Sequence, residues 1–148
     1  MRVSTKFSDS VHILAFIEIY KDQKLSSELI AKSIETSPVV VRRLMGNLRN
    51  ADLIDTKKGT AEAKLSKDSD KITLLDIYLA VEGNKKLFTV DSHTNSNCIV
   101  GGNIQKVLSS YYEDAQMAAL RKFNDVTLQD ITKNILVEQK IKRSTDSQ

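Results

Sequence analysis

Two groups of side chains in this sequence have types and spacing that can do chemistry. The first is basic. Residues 37–64 hold Arg42, Arg43, Arg49, Lys57, Lys58 and Lys64 against Asp52, Asp55 and Glu62. Arg42 or Arg43 can offer a guanidinium fork to a guanine edge, which a lysine cannot reproduce. Lys57, Lys58 and Lys64 suit phosphate neutralisation, with Ser37, Val39 and Thr60 as further DNA contacts and Arg2, Thr5 and Lys6 as outlying ones. The second group is Cys98 with Asp91 and His93. A thiol near the start of a helix can be held as the reactive thiolate. With no second cysteine in the chain, its oxidation leads to a sulfenic acid, a mixed disulfide or a disulfide between two copies. A metal held by Asp91, His93 and Cys98 would lack a second histidine at ligand spacing, so no metal site is assigned. The plainer readings are an arginine paired with an acidic neighbour and a cysteine buried as a small apolar residue. His12, beside the apolar run Ile13–Ile17, reads as structural. No Ser/His/Asp set or paired carboxylates stand out, and Gly101-Gly102 is too short for a nucleotide loop, so no catalytic residue and no enzyme are expected.

The elements that must position these residues follow from periodicity and caps. Ile13, Phe16, Ile17 and Tyr20 share one face of a helix expected over Ser8–Tyr20, with Ser8 as its cap. Ser26 caps a second helix, Ser27–Ile34. After the short connection Glu35-Thr36, Ser37-Pro38 opens a third helix that runs to Asn50, with Val41, Leu44 and Leu48 inward. Two short helices joined by a tight turn, the second basic, form a helix-turn-helix pattern. Leu53 and Ile54 start a strand, residues 57–60 suit a turn, and Ala63 to Ser66 return, giving a β-hairpin with a basic tip. Thr73 and Asp76 have capping-box spacing at the start of a helix that ends at Gly83. A polar loop spans 89–98. A long helix is expected over about Asn103–Phe123, where Ile104, Leu108, Tyr111, Ala115 and Ala118 form a heptad-like seam suited to a partner helix. Tyr111 and Tyr112 on it read as packing residues. A last helix opens near Thr127, with Leu128, Ile131, Ile135 and Leu136 as its apolar stripe, and Ser144–Gln148 read as a frayed tail.

Composition limits the class. The chain has 148 residues, 41% hydrophobic and 28% charged, with five glycines and one proline. That excludes disordered and collagen-like chains and leaves one domain or a small domain with an appended arm. The longest unbroken apolar run, Ile13–Ile17, is far short of the roughly 18 residues of a membrane span. No membrane association and no signal peptide are expected, and a single cysteine favours the cytoplasm. The net charge of +3 lies wholly in residues 1–66, which hold eleven basic and eight acidic residues; residues 67–148 hold eleven of each. A local basic patch on a nearly neutral chain points to a polyanionic partner.

The order of these segments resembles a known family. Ser-Pro-Val-Val-Val-Arg-Arg-Leu (37–44), Leu-Arg-Asn-Ala-Asp-Leu-Ile (48–54), Lys-Gly (58–59) and Ile-Thr-Leu-Leu-Asp-Ile-Tyr-Leu-Ala-Val-Glu-Gly (72–83) resemble the Rrf-two family of bacterial winged-helix transcription regulators. Its members include the iron–sulfur cluster regulator, the nitric-oxide-sensitive repressor and the cysteine-metabolism repressor. Asn97-Cys98-Ile99-Val100-Gly101 with Asn103-Ile104-Gln105 is similar to its YwnA-like branch. The resemblance spans about residues 1–137. It implies a mainly α fold with a small β-hairpin wing, a winged helix-turn-helix followed by a long dimerisation helix. It implies a DNA-binding domain over 1–83, a polar connecting loop over 84–98, and dimerisation and C-terminal helices over 99–148. The helix opening at Ser37 would read the major groove and the hairpin at 57–64 the minor groove. The family commonly has Arg-Gly at the wing tip, then glycines and an aromatic. Here Lys58-Gly59 is followed by Thr60, Ala61, Glu62, Ala63 and Lys64, and Glu62 would oppose a phosphate. Cluster-holding members use three cysteines; this chain has one, so no cofactor is expected. The expected function is a homodimeric repressor of a near-palindromic operator in double-stranded DNA, switched by oxidation at Cys98. The alternatives are a regulator gated by a small molecule without thiol chemistry, and a winged helix that binds protein.

Overall fold

The computed structural model describes residues 4–56 and 63–147. Three helices come first: α1 (Thr5–Ile19), α2 (Ser27–Ile34) and α3 (Pro38–Asn50). Strands β1 (Ile54–Thr56) and β2 (Ala63–Leu65) follow as an antiparallel hairpin, with Ile54 opposite Leu65, Asp55 opposite Lys64 and Thr56 opposite Ala63. A one-turn 3-10 helix (Ser69–Lys71) leads to α4 (Leu74–Glu82), α5 (Ile104–Asn124) and α6 (Leu128–Asp146). This is a winged helix-turn-helix with a long helix after it, as the sequence led us to expect.

One core holds the first half together. Ile13, Leu14 and Ile17 of α1, Ile30 of α2, Val41, Leu44 and Leu48 of α3, Leu53, Ile54 and Ile72, and Ile77 of α4 are all buried in it. Leu128, the first residue of α6, joins the same core. Its backbone N–H donates to the Ile72 carbonyl at 2.7 Å, and the Leu74 N–H donates to Val126 at 2.9 Å. The corner between α5 and α6 is therefore stitched to the start of α4. Both helices beside that stitch start with full capping boxes. The Thr73 hydroxyl accepts from the Asp76 N–H at 3.1 Å and the Asp76 carboxylate accepts from the Thr73 N–H at 3.0 Å. Thr127 and Asp130 repeat the arrangement at 3.1 and 2.9 Å.

Three expectations need correction. The first helix starts at Thr5 rather than Ser8, because Ser4 caps it by accepting from the Lys6 N–H at 3.1 Å. The added turn places Phe7 edge-on against Tyr78 and Phe123, at ring separations of 5.4 and 5.3 Å. The tail expected to fray is helical through Asp146. There the Thr145 and Ser147 hydroxyls donate to the Ile141 and Arg143 carbonyls at 3.0 and 2.8 Å, partnering carbonyls near the helix end. The apolar stripe of α6 is only partly covered: Leu128 is buried, Ile131 half-buried, and Ile135 and Leu136 are exposed. No helix among the described residues is long and apolar enough to cross a membrane.

Candidate nucleic-acid interface and thiol loop

Helix α3 carries the basic candidates because of how it begins. Ser37 is its N-cap and accepts from the Val40 N–H at 3.4 Å; Pro38 follows at the first helical position. The preceding turn closes through Glu35, which takes left-handed backbone (φ 61°) at the end of α2. Burial of Val41, Leu44 and Leu48 then turns the opposite face outward. Val39, Arg42 and Arg43, at i, i+3 and i+4, lie on that face, and Val39 is 67% exposed. An apolar side chain left in water beside two guanidinium groups suits the apolar and hydrogen-bonding edges of a major groove.

Arg42 has an acidic neighbour that the sequence did not single out. Its guanidinium lies 3.9 Å from the Glu28 carboxylate on α2, with the side chains 54% and 62% exposed. A pair so long and so wet is weak and leaves the guanidinium available. No acidic partner within 4 Å of Arg43 is found among the described residues. On the hairpin, Lys64 is exposed and sits across from Asp55. Lys57, Lys58 and Thr60 lie outside the described residues, as do Glu62 and Arg2.

Cys98 lies in a knot of turns ahead of α5, and it is exposed rather than buried. The Thr94 hydroxyl donates to the Gly101 carbonyl at 2.6 Å, Gln105 of α5 donates to Thr94 at 3.1 Å, and the Asn103 amide donates to the Ile99 carbonyl at 2.8 Å. Gly101 is required there, since a Cβ would fall on the Asn95 carbonyl. Hydrogen bonds from the backbone N–H groups of Gly101 and Val100 hold the Cys98 thiol below the ordinary thiol range. The cause is these two local amides, and α5 itself begins only at Ile104. The Asp91 carboxylate accepts from the His93 N–H at 2.8 Å, closing a turn of its own.

Helix α5 has no buried residue along its length. Of its seam, Ile104 and Leu108 are half-buried, while Tyr111 (68%), Ala115 and Ala118 are exposed. Tyr112 is half-buried instead and lies against Phe88, the rings tilted at 45° and 5.8 Å apart.

This geometry, an exposed basic recognition helix behind a tight turn with a hairpin beside it, defines a winged-helix DNA-binding regulator. The comparisons place it further. The model of the Rrf2 (Rrf-two) family, iron-dependent transcriptional regulators, matches residues 3–134, and the chain belongs to that family. It is 36% identical over 133 residues to YwnA of Bacillus subtilis, a candidate helix-turn-helix transcriptional regulator, covering 90% of this chain and 98% of that one. A crystal structure of a candidate DNA-binding protein is 36% identical, with TM-score 0.69 over 85% of this chain and 97% of that one. CymR, the global cysteine regulator of B. subtilis, shares the fold at 21% identity, with TM-score 0.65 over 90% of this chain and 97% of that one. These relatives are regulators, not enzymes.

The family's iron dependence is not matched by the donors here. The chain offers one thiolate, and no group of three or more His, Cys, Asp or Glu side chains that could hold a metal forms among the described residues. Cys98 and its neighbours do not fit a cysteine-held cluster.

Proposed function

We propose that this chain acts in the cytoplasm as a homodimeric repressor that reads a near-palindromic operator in double-stranded DNA. The observation that carries the reading is the outward face of α3, where Val39, Arg42 and Arg43 stand exposed behind a capped tight turn. Arg42 and Arg43 contact base edges. Ser37 at the helix start, with Lys57, Lys58, Thr60 and Lys64 of the wing, contacts phosphates. Residues 1–83 form the DNA-reading unit, 84–98 connect it, and 99–148 assemble the dimer. The exposed seam of α5 is the surface that a second copy covers, and pairing sets the two α3 helices about one helical turn of DNA apart.

Cys98 supplies the switch. Its thiolate attacks a peroxide oxygen, the O–O bond breaks, and hydroxide leaves; sulfur is oxidised to the sulfenic acid and the peroxide is reduced. A second thiol, from the partner's copy or a small thiol, then condenses with it, releasing water and leaving a disulfide. The added group displaces the sulfur from the Gly101 and Val100 amides. The Thr94–Gly101 and Gln105–Thr94 bonds link that change to the first turn of α5 and so to the dimer geometry.

The test is a gel-shift titration on DNA upstream of the chain's own gene, with reduced, peroxide-treated and Cys98→Ser protein. Reduced protein should bind, oxidised protein should release, and Cys98→Ser should bind under both conditions. Affinity should fall steeply with salt, as counterion release demands. Equal binding by all three would remove the thiol switch and leave the DNA reading. No binding by any of them at low salt would remove the DNA reading itself.

A further inference from the structure

A cleft of about 660 Å³ lies between α1 and α6, and none of its lining residues is a DNA contact in the reading above. Its apolar wall comes from Phe16 and Ile19 of α1 and from Ile135 and Leu136 of α6. Its polar groups include His12, Ser33, Gln139 and Arg143, with Ser8 and Tyr20 beside them. The His12 ring nitrogen and the Ser33 hydroxyl are 2.7 Å apart, which ties α2 to α1 at the cleft wall. Gln139 and Arg143 are one helical turn apart and line the same cleft as Ile135.

The charges in the lining favour one ligand class. No Asp or Glu lines the cleft, and Arg143 has no carboxylate within 4 Å among the described residues. The other large grooves differ. The one between residues 86–92 and α5 carries Asp91 and Glu113, and the one beside β2 carries Glu18, Asp22, Asp68 and Asp70. A cation without an acid, set at the side of an aromatic and aliphatic wall, is complementary to an anion on an apolar body.

We propose that the α1–α6 cleft is a binding site for a small organic anion, such as an aromatic carboxylate or sulfonate. Arg143 holds the acid group, and Phe16, Ile19 and Leu136 hold the apolar body. The site deepens the regulator reading without depending on it, because binding is measured without DNA.

Two dyes with the same aromatic skeleton make the test: anilinonaphthalene sulfonate, which is anionic, and phenylnaphthylamine, which is neutral. Both are titrated by fluorescence against the full-length folded protein. The sulfonate should bind about tenfold tighter or more, the effect of one charge-assisted contact. Arg143→Gln should bring the two dyes to equal affinity, Arg143→Lys should restore part of the difference, and Leu136→Trp, which fills the cleft, should weaken both. Arg143 is exposed, so its variants should remain folded. Equal affinity for the two dyes in the unaltered protein, or a preference that survives Arg143→Gln, would overturn the proposal. So would failure of both dyes to bind.

Discussion

Replacing Arg42 and Arg43 together by alanine separates base reading from simple charge. Each guanidinium paired with a base edge contributes about 1–3 kcal/mol of discrimination. The double variant should lose about 2–6 kcal/mol per half-site, roughly thirty-fold to twenty-thousand-fold in affinity. The fold should be untouched, because both side chains are exposed and the Arg42–Glu28 pair spans 3.9 Å in solvent. Such pairs contribute about 0–1 kcal/mol, so releasing Arg42 to the DNA costs little. Glu28→Gln, which frees Arg42 beforehand and removes an anion beside the interface, should tighten operator binding by up to about fivefold. Fluorescence anisotropy on operator and scrambled duplexes across a salt series reads all of these. If the arginines read bases, Arg42→Ala/Arg43→Ala loses the difference between the duplexes and keeps its salt slope. If they only neutralise phosphates, both duplexes weaken equally and the slope falls by about 1.8 per half-site. Unchanged operator affinity in a folded double variant would refute the assignment of α3 as the reader.

Three further outcomes follow from the same geometry. Tyr111→Ala, at the centre of the exposed α5 seam, should weaken the dimer by about thirty-fold if it is a hot spot of about 2 kcal/mol; sedimentation velocity over a concentration series checks this. Cys98 should react with iodoacetamide with a pH midpoint below that of a free thiol, because the Gly101 and Val100 amides favour its thiolate, and Gly101→Ala should raise that midpoint by displacing the loop. Gly83→Ala should destabilise by about 1–3 kcal/mol in urea unfolding, since Gly83 holds φ 63° and ψ −139°, backbone that side-chain-bearing residues avoid. The surroundings of Gly83 are open, so that cost would be purely conformational.

Much of this fold was legible in short-range signals. Ser37-Pro38 and Thr73…Asp76 start α3 and α4 because caps are local chemistry, satisfied within four residues. The features that were hidden depend on contacts distant in sequence. Ser4 and Ser8 are both good caps, and the turn between them is kept by Phe7 meeting Tyr78 and Phe123, residues more than seventy positions away. The polar end of α6 looked frayed because the hydroxyls of Thr145 and Ser147 could equally have faced water; here they bond back to the helix. The Arg42–Glu28 pair exists only once α2 and α3 have packed. The exposure of Cys98 follows from a loop whose glycines fold it onto itself, and no periodicity announces that. The α1–α6 cleft was illegible for the same reason: its walls are separated by more than a hundred residues, and each reads alone as an ordinary helix face.

The place of Cys98 along the chain constrains how its chemistry can matter. Helix α5 has 21 residues and so is about 30 Å long. Its first turn bonds to the Cys98 loop through Gln105, while its last turn delivers Phe123 to the aromatic cluster with Phe7 and Tyr78. Within one subunit, a change at the thiol therefore enters one end of a long rigid rod, and the stitch between Leu128 and Ile72 pins the other end to the winged helix. The rod is also held at mid-length, where Gln116 accepts from the Leu87 N–H at 2.9 Å and Tyr112 lies against Phe88, and the exposed seam between its two ends is where a partner would feel a push. Oxidation should then alter DNA binding by changing how two subunits are set, not by distorting α3 directly. The separating experiment is peroxide treatment of Tyr111→Ala held below its dimerisation concentration. Cys98 should still oxidise there, seen as a mass increase, while the weak DNA binding of the monomer stays unchanged. A monomer that loses its residual DNA affinity on oxidation would show a path through the subunit and refute the dimer-borne mechanism.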